Sequence, residues 1–223
     1  MIAIFDLTIP EMGGGSQVVE GLSLRMEEGS WNEIVGPAGV GKSAIFDVLS
    51  LRRKPAAGRL VVAGRNLERL KKGGLWKVRK EIGSCPQRPT LLWDRSAVEN
   101  VVLPMVVRGE SREALKKAEE TLGFLGVMPE RDRSVGALCA QHQALVALAM
   151  ATVGSPKVIL IDGIHETLEP AVRGVALSWL EKMQGSGSTV VIFGRRAMNR
   201  RRSSVLWRLR DGEVARTGEV ERC

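Results

Sequence analysis

Apolar residues recur along this chain in two rhythms. Short apolar runs bounded by glycine, proline or charge read as strands: Ile2 to Leu7, Leu22 to Met26, Glu33-Ile34-Val35, Leu60 to Arg65, Ile82-Gly83-Ser84, Val158 to Ile161 and Thr189 to Phe193. Between them lie stretches with helical spacing. Ile45, Val48 and Leu49 share one side after the first glycine loop, and Ser111 is placed to cap a helix whose Leu115, Ala118, Leu122 and Leu125 share a face. Helices are also predicted over about 143–153 and 170–183. Gly13-Gly14-Gly15 is the predicted turn between the first two strands, and Asp211-Gly212 turns a hairpin from Val205–Leu209 into Glu213-Val214-Ala215. Apolar strands alternating with helices predict an α/β fold around a mainly parallel sheet covered on both faces. The helical stretch at about 88–138 interrupts that alternation and reads as an insertion. Nothing repeats and no low-complexity linker divides the 223 residues, enough for one core with a small satellite subdomain.

Composition narrows the class. Hydrophobic residues make up 44% and charged residues 26%, an ordinary globular balance. No stretch approaches the ~20 apolar residues of a membrane-spanning helix, and the opening residues lack a basic start and cleavage site. The expectation is a cytoplasmic chain that works at a membrane only through another subunit. Cys85, Cys139 and Cys223 are odd in number, far apart and without metal-ligand spacing, which predicts reduced thiols. Two histidines, His142 and His165, argue against a multi-histidine metal site. A net charge of +8 points to an anionic partner, a nucleotide polyphosphate included. Arg195, Arg196, Arg200, Arg201 and Arg202 concentrate that charge, either as a solvated face or as a contact. No aromatic residues interleave with them, which argues against nucleic acid.

The sharpest signal is Gly36-Pro37-Ala38-Gly39-Val40-Gly41-Lys42-Ser43, between a predicted strand and a predicted helix. Glycines let the backbone curl with its amides inward as an anion nest. The helix that follows adds its positive end. Lys42 is placed to reach β- and γ-phosphates and Ser43 to ligate Mg²⁺. Asp162 closes an apolar strand, the position of an aspartate that holds the same metal through water.

In this order the motifs resemble those of ABC ATPases along nearly the whole chain. Cys85-Pro86-Gln87 stands where the family has its Q-loop glutamine, making Gln87 a third candidate for the metal. Residues 91–101, Leu-Leu-Trp-Asp-Arg-Ser-Ala-Val-Glu-Asn-Val, resemble the FtsE group of cell-division ATPases, which pair with the membrane protein FtsX, and the ending from Arg201-Arg202-Ser203 to Asp211-Gly212 is similar. Lipoprotein-release and MacB-type ATPases are also similar. The resemblance implies a P-loop NTPase fold: a RecA-like core, an antiparallel β subdomain and an inserted helical subdomain, all in one nucleotide-binding domain. It further implies ATP and Mg²⁺ as ligands and an FtsX-like transmembrane subunit as partner. It implies a dimer, homodimer or heterodimer with another ABC ATPase, in which each nucleotide lies between one phosphate loop and the other subunit's signature motif.

The chain departs from the family where hydrolysis is performed. Leu138-Cys139-Ala140-Gln141-His142 stands at the signature, with Cys139, Ala140 and Gln141 replacing the serine and glycines that face the γ-phosphate. Gly163 stands where the catalytic glutamate follows Asp162, and no glycine can activate water. Glu166, three residues on, is expected to point elsewhere. Arg195 occupies the switch-histidine position, or Gly194 if the register slips by one. Glu169 replaces the D-loop aspartate. Pro10-Glu11-Met12 offers no aromatic ring for adenine to stack on. A positioned base contributes roughly 10²–10⁴ in rate, so the expectation is a subunit that binds Mg-ATP with weak or absent hydrolysis. The alternative is a non-hydrolysing scaffold with ATP as an interface ligand. Trp93 is read either as a membrane-partner contact or as core.

Overall fold

A computed structural model describes residues 1–10, 17–71, 73–197, 204–210 and 213–219. β1 (Ile2–Pro10) and β2 (Gln17–Met26) pair antiparallel, Ile2 opposite Met26 and Ile4 opposite Leu24. Then come β3 (Trp31–Val35), α1 (Lys42–Leu49), β4 (Ala57–Val62), β5 (Arg65–Asn66), α2 (Gly74–Arg79) and β6 (Ile82–Cys85). α3 (Ala97–Arg108) and α4 (Ser111–Phe124) form the helical insertion, and α5 (Ala140–Thr152) returns to the core. The chain continues with β7 (Val158–Asp162), α6 (Pro170–Gly185), β8 (Thr189–Gly194), β9 (Ser204–Arg210) and β10 (Glu213–Glu219).

Two sheets result. One is four-stranded and antiparallel, in the order β2-β1-β4-β5. The other runs β10-β9-β3-β8-β7-β6, parallel throughout except for the β9–β10 hairpin. All five residues of β3 and of β7 are buried, Asn32, Glu33 and Asp162 included, because both faces of this sheet are covered. One core lies between the antiparallel sheet, α1 and the larger sheet, where Phe46 meets Phe193 edge-to-face at 5.8 Å. The other joins α3, α4, α5 and α6 to the opposite face. The fold is thus α/β with mixed sheets and a helical subdomain, as the alternation predicts.

Several local expectations need correction. Ser111 is the first residue of α4 and caps nothing; the cap position holds Glu110, without a side-chain bond. Leu115 is exposed, because the buried face of α4 is Ala114, Ala118, Thr121 and Leu122, set by its packing on α3 and α5. α5 starts at Ala140, three residues before the predicted start, since the apolar periodicity gave no signal for its polar first turn. The predicted turns at 13–15 and 211–212, Cys223 and the arginines at 200–202 lie outside the described residues.

Candidate functional site

The edge of β3 leads straight into the glycine-rich loop. Gly39 and Gly41 adopt left-handed backbone angles, φ +84° and +97°, which side chains rarely tolerate. Gly41 caps α1 with no side-chain bond to the first amides of the helix, so those N–H groups stay free for an anion. The Lys42 ammonium folds back to donate to the Gly36 and Pro37 carbonyls at 2.7 and 2.6 Å. Ser43 Oγ donates to Asp162 Oδ2 at 2.8 Å, joining the loop to the end of β7. Val40 packs its side chain against the core beneath.

These groups line a cleft of about 290 Å³ with Gln87, Gly163, Glu166, Phe193, Gly194 and Arg195. Burial holds Lys42 below its ordinary 10.5, against the pull of Asp162 and Glu166. Burial likewise raises Asp162 above 3.8, opposed by the Ser43 hydrogen bond and by Lys42. A divalent cation beside Asp162 favours the carboxylate form and offsets that desolvation. Serine hydroxyl, aspartate and glutamine oxygens within one cleft are the hard donors that Mg²⁺ takes, leaving room for its retained waters. The residues present therefore fit the metal and a polyphosphate together.

The structure gathers Ala38, Gly39, Gly41, Lys42, Ser43, Gln87, Asp162, Gly163 and Arg195 at one cleft, with Gly36 and Pro37 closing it through Lys42. It corrects the expectation for Glu166. Gly163 is left-handed (φ +64°) and starts a tight turn over Ile164–Glu166 that swings Glu166 back into the cleft. There its Oε1 accepts from the Arg195 N–H at 2.5 Å. Counting positions along the strand missed this; the signal was the glycine itself, which permits the reversal. Cys139, Ala140 and Gln141 do not line this cleft. Cys139 holds the cap position before α5 and is exposed, while Gln141 donates to Thr167 O and accepts from Glu169 N, tying α5 to the segment after β7. Of the three residues weighed as an adenine platform, only Pro10 is described, and its carbonyl accepts from Arg53.

A sequence model of the ABC transporter family matches residues 19–165. The chain belongs to the ABC transporter family of ATP-binding proteins. The methionine import ATP-binding protein MetN of Geobacillus kaustophilus is 33% identical over 181 residues, covering 80% of this chain. The macrolide export ATP-binding/permease protein MacB of Hyphomonas neptunium is 32% identical over 218 residues, 96% of this chain. The match takes in 53% of the MetN protein and 34% of the MacB protein, so this ABC chain spans about half or less of those relatives. Two solved dimers of the ATP-binding cassette MJ0796 superpose over the full length of both chains at 26% identity. The form bound to ADP and Pi gives a TM-score of 0.89 and the other dimer 0.90. Among the described residues of this ABC chain no helix is long and apolar enough to cross a membrane.

Proposed function

We propose that this chain is one ABC nucleotide-binding domain, with its helical insertion at about 88–138, that couples Mg-ATP binding to a transmembrane partner and hydrolyses ATP slowly or not at all. The observation that carries the reading is the cleft itself: Lys42, Ser43 and Asp162 line it together, and the residue after Asp162 is Gly163. Residues 36–43 hold the phosphates, with Lys42 turning from its two carbonyls to the β- and γ-oxygens. Ser43, Asp162 and Gln87 hold the metal. Bound there, Mg²⁺ would supply positive charge that neutralises the phosphates. The chain's own groups then bind and orient the triphosphate, and none at position 163 takes a proton from water.

Closure pairs this cleft with the signature segment of a second subunit, a copy of this chain or another ABC ATPase. In a homodimer both clefts face Cys139-Ala140-Gln141, where one hydroxyl donor and two close backbone approaches are lost. With an intact partner, one composite site keeps a complete hydrolytic set and faces this chain's weak signature; that site turns over slowly. The phrase at 91–101 supports an FtsX-like membrane subunit, with lipoprotein-release and MacB-type complexes as near relatives in sequence. Trp93, 54% exposed beside the exposed Leu92, is suited to contact such a subunit. The chain then sits on the cytoplasmic face of the membrane through that partner.

The test is Mg-ATP-dependent dimerisation of the purified chain, read by light scattering, alongside single-turnover phosphate release. The expected outcome is an ATP-dependent dimer that Lys42→Ala abolishes, with phosphate release at least a hundredfold below an intact cassette run in parallel, roughly what loss of the base costs. Release at the rate of the intact cassette would refute slow hydrolysis. The second reading, a regulatory scaffold with ATP as a permanent interface ligand, is favoured by the same intact loop beside Gly163. Complete absence of release from the complex with its membrane partner selects it.

A further inference from the structure

The peptide unit joining Gly194 to Arg195 is pinned from both sides. Its carbonyl, Gly194 O, accepts from the N–H of Gly36 at 3.2 Å, the first residue of the glycine loop. Its N–H, that of Arg195, donates to Glu166 Oε1 at 2.5 Å. Gly194 is what lets Glu166 approach: a β-carbon there would stand 3.1 Å from Glu166 Oε1 and 3.2 Å from His165 Nε2, tighter than ordinary packing allows. The second Glu166 oxygen lies 3.8 Å from Arg195 Nε, and the Arg195 side chain is 70% exposed. An ion pair that long and that wet contributes little, whereas a carboxylate gripping a backbone amide is a short, charge-assisted bond. Glu166 therefore fixes the backbone of Arg195 and holds its guanidinium only through a long, exposed ion pair. Arg195 lines the same cleft as Lys42, Ser43 and Asp162.

We propose that Glu166 is a positioning residue: it anchors the Arg195 backbone against the glycine loop so that the Arg195 guanidinium clamps the terminal phosphate, which makes this cleft select nucleoside triphosphates over diphosphates. The inference rests on the reading of the cleft as a Mg-ATP site. The fork of an arginine matches phosphate oxygens in two parallel bonds, and only a triphosphate reaches past the β-position to meet it. Glu166 also carries a negative charge toward the same phosphate. Its two effects, anchoring and repulsion, are separable, because glutamine keeps the acceptor oxygen and drops the charge.

The experiment is isothermal titration of the full chain with Mg-ATP and, separately, Mg-ADP. Arg195→Ala is expected to weaken Mg-ATP about tenfold, the size of one charged hydrogen bond, and to change Mg-ADP by less than about twofold. Glu166→Ala is expected to weaken Mg-ATP selectively, by roughly threefold to tenfold on the same scale. Glu166→Gln is expected to bind Mg-ATP at least as tightly as the parent. The double variant Arg195→Ala with Glu166→Ala is expected to be no weaker than Arg195→Ala alone, since the two act through one contact. Equal losses for both nucleotides, additive losses in the double variant, or a Gln variant as weak as the Ala variant would each overturn the proposal. A parent chain that binds neither nucleotide brings down the underlying Mg-ATP reading as well, and so is told apart from failure of the clamp alone. Circular dichroism of each variant confirms that it is folded; a variant that unfolds is replaced by Gly194→Ala, which crowds Glu166 from the opposite side and is expected to lower Mg-ATP affinity selectively.

Discussion

Gly163 has two consequences at the scale of one residue. Its hydrogen removes the base, and its left-handed backbone turns Glu166 into the cleft. Gly163→Glu is expected to speed single-turnover phosphate release by about tenfold or more, within the range a positioned base supplies. The site has room, since a β-carbon at 163 meets Gln87 only at ordinary contact distance, 3.6 Å. The backbone angle is the obstacle: a side chain at φ +64° costs about 1–2 kcal/mol. Gly163→Ala, measured by urea unfolding, is expected to show that cost without any gain in release. His165, the neighbour of this turn, gives a prediction in pH. Burial holds its imidazole below 6.5, and its Nδ1 has no hydrogen-bond partner among the described residues. The folded state therefore binds fewer protons than the unfolded state as pH falls through 6.5. Its contribution is complete above that value and is lost on acidification toward the lower folded pKa. Asp162 acts in the opposite sense from 3.8 upward, because burial raises its pKa. Thermal midpoints between about pH 7.5 and 5.5 are expected to fall for the parent chain and to fall less for His165→Leu.

At the scale of elements, α3 shows how the loop that carries Trp93 is held. Ser96 and Glu99 form a reciprocal capping box: Ser96 Oγ accepts from Glu99 N at 3.2 Å and Glu99 accepts from Ser96 N at 2.8 Å. Asn100, fully buried, accepts from Leu92 N and donates to the carbonyls of Leu92 and Ser96, so the loop that presents Trp93 is wrapped around one amide. Ser96→Ala is expected to cost about 1 kcal/mol. Asn100→Ala leaves several buried backbone groups unpaired and is expected to cost about 3 kcal/mol, with faster hydrogen exchange at residues 92–96. The capping box and the Asn100 amide were not read from the sequence, but other elements were legible. Buried strands announced themselves as unbroken apolar runs, and the glycine loop as a pattern between strand and helix. What stayed hidden depends on neighbours: which side of α4 faces α3, where the polar first turn of α5 begins, and that a reversal at Gly163 carries Glu166 back beside Arg195. Local spacing reports period, not the partner that a face or a turn will meet.

For the whole molecule, nucleotide and stability are linked. A ligand that binds only the folded state adds about 2.7 kcal/mol at a hundred times its dissociation constant. The unfolding midpoint in urea is expected to rise with Mg-ATP, and Lys42→Ala is expected to erase that rise. The order of the larger sheet adds a constraint of another kind. β3, whose end becomes the anion cradle, lies between β8 and β9, strands that begin at Thr189 and Ser204. Gly36 is pressed so close to Leu209 that a β-carbon would sit 2.4 Å from that carbonyl. The cradle is written early in the chain but walled by its last third, so a growing polypeptide on the ribosome cannot complete it until synthesis has passed residue 209. Nascent chains arrested before the start of β9 are expected to stay open to protease at 31–43, and those released beyond it to be shielded there.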